Sequence, residues 1–147
     1  MYEINSSEAD TMINIIYGEK GTGKTKIIID RVNEAVKTAK GNVVFISQKK
    51  SCSVNIDFNV RCVYTEDYAV SSVAGITGFI DGLMAGNTDI EHVFLDGAMR
   101  IADCGLEELK DFFAEAERLS SVYGVNFTFT LSCTKEALPD FIAKYVA

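Results

Sequence analysis

Tryptophan is absent from this 147-residue chain, proline occurs once, at Pro139, and histidine once, at His92. A single proline excludes a proline-rich spacer between domains. The four cysteines, Cys52, Cys62, Cys104 and Cys133, contain no C-x-x-C pair. That spacing excludes the usual structural zinc and dithiol redox motifs. Scattered thiols with no signal-peptide pattern ahead of them predict a reduced protein of the cytoplasm. No apolar run reaches 18 residues, so no membrane-spanning helix is expected. Positive charge is also scarce: 14 Lys and Arg against 21 Asp and Glu leave a net charge of −7. Non-specific nucleic-acid binding needs a basic footprint and is not expected. Lys49, Lys50 and Arg61 make the one local basic strip, and a solvated loop accounts for it.

What the chain has is apolar residues, 48% of the total, enough at this length for one domain with an ordinary core. Residues 1–11 are polar, acidic and without period, and a loose tail is expected there. From Met12 onward, short apolar runs alternate with helical periodicity. Strands are predicted at Met12–Tyr17, Asn42–Ser47, Val60–Thr65, Glu91–Asp96 and Asn126–Ser132. A helix is predicted at Lys24–Lys40, where Ile28, Val32, Ala35, Val36 and Ala39 share a face and Gly41 suits the C-terminal stop. Others are predicted at Ser71–Gly86, at Leu106–Tyr123 with Leu106, Leu109, Phe112, Phe113, Ala116 and Leu119 facing the core, and from Pro139 onward. Lys49–Asn59 reads as a polar loop. Strand alternating with helix implies a parallel sheet covered on both faces, a three-layer α/β/α sandwich with five parallel strands.

Between the first strand and the first helix stands Gly18-Glu19-Lys20-Gly21-Thr22-Gly23-Lys24-Thr25, which fits G-x-x-x-x-G-K-[ST] at every fixed position. Residue usage alone yields such a match in a chain of this length about 0.5% of the time, so coincidence explains it poorly. An apolar strand leading in and an amphipathic helix leading out are the setting the motif requires. Its glycines let the backbone curl until successive N–H groups point inward as an anion nest. The positive end of the following helix faces the same point, and Lys24 adds a full charge.

These eight residues resemble the Walker A motif of the P-loop NTPase superfamily. The resemblance implies that Gly18 to Thr25 hold nucleotide phosphates, with Lys24 as the catalytic cation on the β and γ phosphates and Thr25 as a ligand of Mg2+. His92-Val93-Phe94-Leu95-Asp96 is similar to a Walker B strand, which would make Asp96 a second Mg2+ ligand, directly or through water. The likeness covers most of residues 12–147 as the architecture of one nucleotide-binding domain, and these two segments as motif. The order of elements resembles the RecA-like branch, in which the last strand slips between the two Walker strands. It implies a spatial strand order of 3-2-4-5-1.

ATP with Mg2+ is the implied ligand. Thr134-Lys135-Glu136-Ala137 begins like the guanine-reading N/T-K-x-D but lacks its aspartate. Many ATPases of the superfamily carry a glutamate after the Walker B aspartate to polarise the attacking water, whereas this chain has Gly97. The expectation is an ATP-binding protein with weak or partner-stimulated Mg-dependent hydrolysis. It would act as a nucleotide switch or assembly component, with another copy or another protein as partner. The alternative is a small-molecule kinase of nucleoside type, with Glu66 or Asp67, after the third strand, as the nearby base.

Three lesser features stay open at this level. Gly75, Gly78, Gly82 and Gly86 form one stripe on the Ser71–Gly86 helix, either a close packing seam or a weak helix. Arg100 stands at the ligand end of the Walker B-like strand, to touch a phosphate or a neighbouring subunit's nucleotide, or to pair with Asp103 or another acid. Thr130 and Ser132 end the last strand, as a sensor of the terminal phosphate or as sheet packing.

Overall fold

The computed structural model describes residues 2–5, 12–50 and 55–146. Residues 6–11 of the expected tail, Cys52 and residues 51–54 of the polar loop lie outside the described residues. The strands are β1 (Tyr2–Asn5), β2 (Ile13–Gly18), β3 (Asn42–Ser47), β4 (Arg61–Tyr64), β5 (Ile90–Leu95) and β6 (Asn126–Ser132). The helices are α1 (Lys24–Thr38), α2 (Val73–Gly86), α3 (Ala98–Ala102), α4 (Lys110–Tyr123) and α5 (Asp140–Ala143). Among the described residues no helix is long and apolar enough to cross a membrane.

One sheet runs β1-β2-β6-β5-β3-β4. The five strands from β2 to β4 are parallel, and helices flank them on both faces. Where the sequence predicts a loose tail, Tyr2–Asn5 instead pair antiparallel with β2. Without that partner β2 would carry a row of open backbone groups along the sheet edge.

Strand alternation sorts the two faces. In β6, Phe127, Phe129 and Leu131 enter a large core made with α2, α3, α4 and α5, while Thr128 and Thr130 point the other way. In β2 the same core takes Ile13, Ile15 and Tyr17. The opposite face has a smaller core in which α1 lays Ile28 and Val32 on Ile16, Val43, Phe45 and Phe94. Phe129 packs edge-on against Phe112 and Phe113 of α4, with centroids 5.3 and 5.2 Å away, and each such buried ring stabilises the fold by roughly 1.5–3 kcal/mol.

Several predicted boundaries move. α1 stops at Thr38, with Ala39 as its cap, so Gly41 is not the stop signal. Gly41 is glycine because a side chain there would run into the Asp89 carbonyl, beside which Asn42 N donates to the same oxygen at 2.8 Å. The Leu106–Tyr123 helix opens as a 3-10 turn over Leu106–Leu109 before α4 proper, which tightens a start lacking a side-chain cap. α2 is continuous, capped by Ser72, whose hydroxyl accepts from Gly75 N, and it buries Ile76, Ile80 and Met84. A side chain at Gly78, Gly82 or Gly86 would meet nothing within 4 Å, so within the chain the glycine stripe is no packing seam.

Where α2 meets α4, Asp81 shares a hydrogen bond with Glu115, and Arg118 donates to Glu115 at 2.7 and 2.8 Å. The Glu115 bond and burial push the Asp81 carboxyl up to about 6. Hydrogen bonds from Arg118 and Asp81 hold Glu115 down to about 2. A raised carboxyl stabilises the fold fully below its unfolded value, near 3.8, and loses that contribution as pH rises through about 6. Asp81→Asn, neutral throughout, is expected to match wild type at pH 4 and exceed it at pH 7.5, by thermal or urea unfolding. The Asp81 side chain is 41% exposed, so solvent screening reduces the expected gain to about 0.5–1 kcal/mol.

Candidate functional site

The loop between β2 and α1 sits at the carboxyl end of the sheet. Gly21 and Gly23 hold φ of +82° and +88°, backbone values that cost other residues about 1–2 kcal/mol each. Gly23 caps α1 with no side-chain oxygen, so the helix N-terminus is not closed by its own chain. Among the described residues no acceptor is found for the backbone N–H groups of Lys20 to Thr25. Six successive donors at the positive end of a 15-residue helix are an arrangement that suits an anion.

The side chains close the loop on itself. Thr22 Oγ1 donates to the Glu19 carbonyl at 2.6 Å, and Lys24 Nζ donates to the same oxygen at 3.0 Å. The lysine is thus folded over the turn, partly buried rather than extended into solvent. Burial lowers its pKa; Asp96 and Cys133 oppose that shift, and the Arg100 charge adds to it.

Cys133 follows β6 directly, its N–H bonded to the Gly18 carbonyl at 3.1 Å. Burial raises its thiol pKa against the pull of Lys24. No pattern around Cys133 in the sequence marks it as a neighbour of the loop; the β2–β6 pairing puts it there.

Asp96, just past β5, is 2% exposed. Thr25 Oγ1 donates to its Oδ2 at 2.9 Å and Thr130 Oγ1 to its Oδ1 at 2.7 Å. Gly97 N donates in turn to Thr130 Oγ1 at 2.8 Å. The structure therefore brings Thr25 and Asp96, 71 residues apart, into direct contact. At the end of β6, Thr130 holds Asp96, while Ser132 stands exposed beside Gly18, its partner in the register. The alternating Thr-Phe text of β6 could nominate Thr130 but not its bond.

The remaining candidates separate. Glu19 and Lys20 are exposed on the loop, with the Glu19 carbonyl as its internal acceptor. Glu66 and Asp67 lie in a 3-10 turn after β4, the far edge of the sheet. β3 stands between them and β5, about 10 Å from the Asp96 strand at ordinary strand spacing. His92 stacks on Phe94 with centroids 5.9 Å apart and meets Glu91 at 3.2 Å, at the opposite end of β5 from Asp96. Arg100 makes no ion pair with Asp103; its guanidinium lies across Gly97.

Among the described residues no group of three or more His, Cys, Asp or Glu is placed to hold a metal. Thr25 and Asp96 are a smaller set, two hard oxygen donors in contact. That suits an ion such as Mg2+, which keeps most of its shell as water and phosphate oxygen. No family model matches the chain, and no curated protein matches it.

Proposed function

We propose that this chain is a nucleotide-binding protein of the P-loop NTPase superfamily, of the RecA-like branch. It binds ATP with Mg2+ through Gly18 to Thr25 and Asp96, and hydrolyses it weakly or under stimulation by a partner. The observation that carries this reading is the run of six unbonded N–H groups from Lys20 to Thr25, set at a helix N-terminus with Lys24 folded over them. Sheet order adds support. From the β4 edge, the five parallel strands are the third, second, fourth, fifth and first in the chain, the order that branch implies. The last strand, β6, lies between the strand entering the loop and the strand leading to Asp96.

In this reading the loop amides and the α1 dipole cradle the inner phosphates, and Lys24 moves from the Glu19 carbonyl to phosphate oxygen. Thr25 and Asp96 would hold Mg2+, which neutralises phosphate charge when bound. Thr130 keeps the Asp96 carboxylate aimed at that position. Gly97 offers no side chain to orient a water, and Glu66 and Asp67 stand two strands from Asp96. A slow intrinsic rate follows, raised when a partner or second copy supplies the missing group. This makes nucleotide state usable as a switch or an assembly signal. Free thiols at Cys62, Cys104 and Cys133 suit a cytoplasmic setting.

The test is calorimetric titration of the protein with Mg·ATP, followed by a phosphate-release assay. Binding is expected, with turnover well below the roughly 10 s−1 of a typical enzyme. Absence of binding at millimolar ATP would overturn the reading, and ordinary turnover by the isolated protein would overturn its "weak" part.

A further inference from the structure

Arg100 is a cation the fold leaves uncompensated. The chain carries 21 acidic residues against 14 basic ones, yet among the described residues the Arg100 guanidinium has neither an ion pair nor a hydrogen bond, its backbone carbonyl alone accepting from Asp103 N at 3.3 Å. Asp103, three residues on, caps α3 in a left-handed conformation, φ 50°, and does not pair with it. The Arg100 side chain turns back over the start of its own helix instead. A Cβ placed on Gly97 would lie 2.6 Å from Arg100 Nη2, 3.2 Å from Nε and 3.3 Å from Cζ. One edge of the guanidinium therefore rests on the Gly97 backbone, in the space a side chain would fill. Gly97 is bonded to Thr130 and adjoins Asp96, so the resting place is the rim of the site. Gly97 also holds φ +83°, a backbone conformation that disfavours any side chain there, whereas the guanidinium, at the end of a flexible chain, is able to swing aside.

We propose that Arg100 is the residue that reads the terminal phosphate of a bound nucleoside triphosphate, and that the missing side chain at Gly97 leaves the guanidinium room to lie there. This inference rests on the nucleotide reading above. The loop amides surround the inner phosphates, which leaves the outermost one between Lys24 and the end of β5, where Arg100 waits. Lys24 and Arg100 stand at the same end of the sheet, Lys24 on the loop next to Thr25, which bonds Asp96, and Arg100 over Gly97, which adjoins Asp96. With Lys24 bonded to a carbonyl oxygen and no ion pair at Arg100 among the described residues, the two cations favour a ligand carrying several negative charges. A guanidinium presents paired N–H donors in a plane that matches phosphate oxygens. A diphosphate ends short of it, so the residue distinguishes the two nucleotides. The missing acid at position 97 and the arginine three residues later are then one feature: a glutamate there would displace the guanidinium.

Equilibrium titration of ATP and ADP, both with Mg2+, on the full chain tests this. In Arg100→Ala, ATP affinity is expected to fall about 10- to 100-fold and ADP affinity by no more than about twofold, the scale of one charge-assisted contact to a single phosphate. Arg100→Lys, which keeps the charge without the fork, is expected to fall between wild type and Arg100→Ala. Arg100 is exposed, so unfolding of the nucleotide-free variants should be unchanged, separating this effect from a folding defect. Gly97→Ala should reproduce the ATP-specific loss with the arginine still present. Equal weakening of ATP and ADP in Arg100→Ala, or no weakening of either, overturns the proposal and leaves the nucleotide reading standing. Failure of wild type to bind either nucleotide defeats the nucleotide reading, and this inference with it.

Discussion

Lys24→Ala is expected to weaken ATP binding about 100-fold or more, equally in Mg2+ and in chelator, while the fold survives. The ammonium is the positive charge that the loop folds back over its own turn. In the ligand-free protein it spends its hydrogen bond on the Glu19 carbonyl. Burial lowers its pKa. The folded state therefore disfavours the charged form that exists near neutral pH, and removing it relieves a cost rather than a support. The measurement pairs a nucleotide titration with thermal unfolding of the free protein. Unchanged ATP affinity in the alanine variant would remove the loop from the site. A collapse of stability would mean that Lys24 is a structural tie across the turn.

Asp96→Asn is expected to give a different signature. Wild type should bind ATP at least about tenfold more tightly with Mg2+ than with chelator, and the asparagine variant should lose that difference while keeping its chelator affinity. Asparagine preserves shape and one acceptor, so the hydroxyls of Thr25 and Thr130 keep a partner, but the anionic oxygens a hard cation needs are gone. Thr130→Val should act in the same direction and more weakly. Thr130 is no ligand itself: its hydroxyl donates to Asp96 at 2.7 Å and accepts from Gly97 N at 2.8 Å, so its loss should remove part of the Mg2+ increment and not the whole of it. The two experiments are complementary: under the proposed function Lys24→Ala reads the phosphate contact whatever the metal, and Asp96→Asn reads the metal increment. An Asp96→Asn variant with its full Mg2+ dependence would separate Asp96 from the cation site.

Much of the fold is readable along the chain because its signals are local. Period-2 alternation marks β6, and the helical repeat of Ile28 and Val32 marks α1. The loop of Gly18 to Thr25 is legible for the same reason: its glycines at positive φ, its lysine and its threonine are contiguous. Misreadings cluster where the deciding partner is remote. Gly41 looks like a helix stop, yet its constraint is the Asp89 carbonyl. The first residues look like a tail, yet β2 offers them an open edge. Leu106 to Leu109 carry helical periodicity, yet wind as a 3-10 turn before α4.

The candidate site divides along the same line. The chain text by itself determined the glycine-rich loop between strand and helix, the apolar strand ending in Asp96 and the absence of an acid at position 97, since each is a run of neighbouring residues whose chemistry does not depend on what lies across the sheet. Tertiary structure alone decided that Thr25 and Thr130 both donate to Asp96, that Cys133 stands by Lys24, that Glu66 and Asp67 lie two strands from Asp96, and that Arg100 covers Gly97. These depend on strand order and on the path of side chains through space. Hydrogen bonds and charges act over a few ångströms, and only the folded sheet brings residues 25, 96 and 130 within that range.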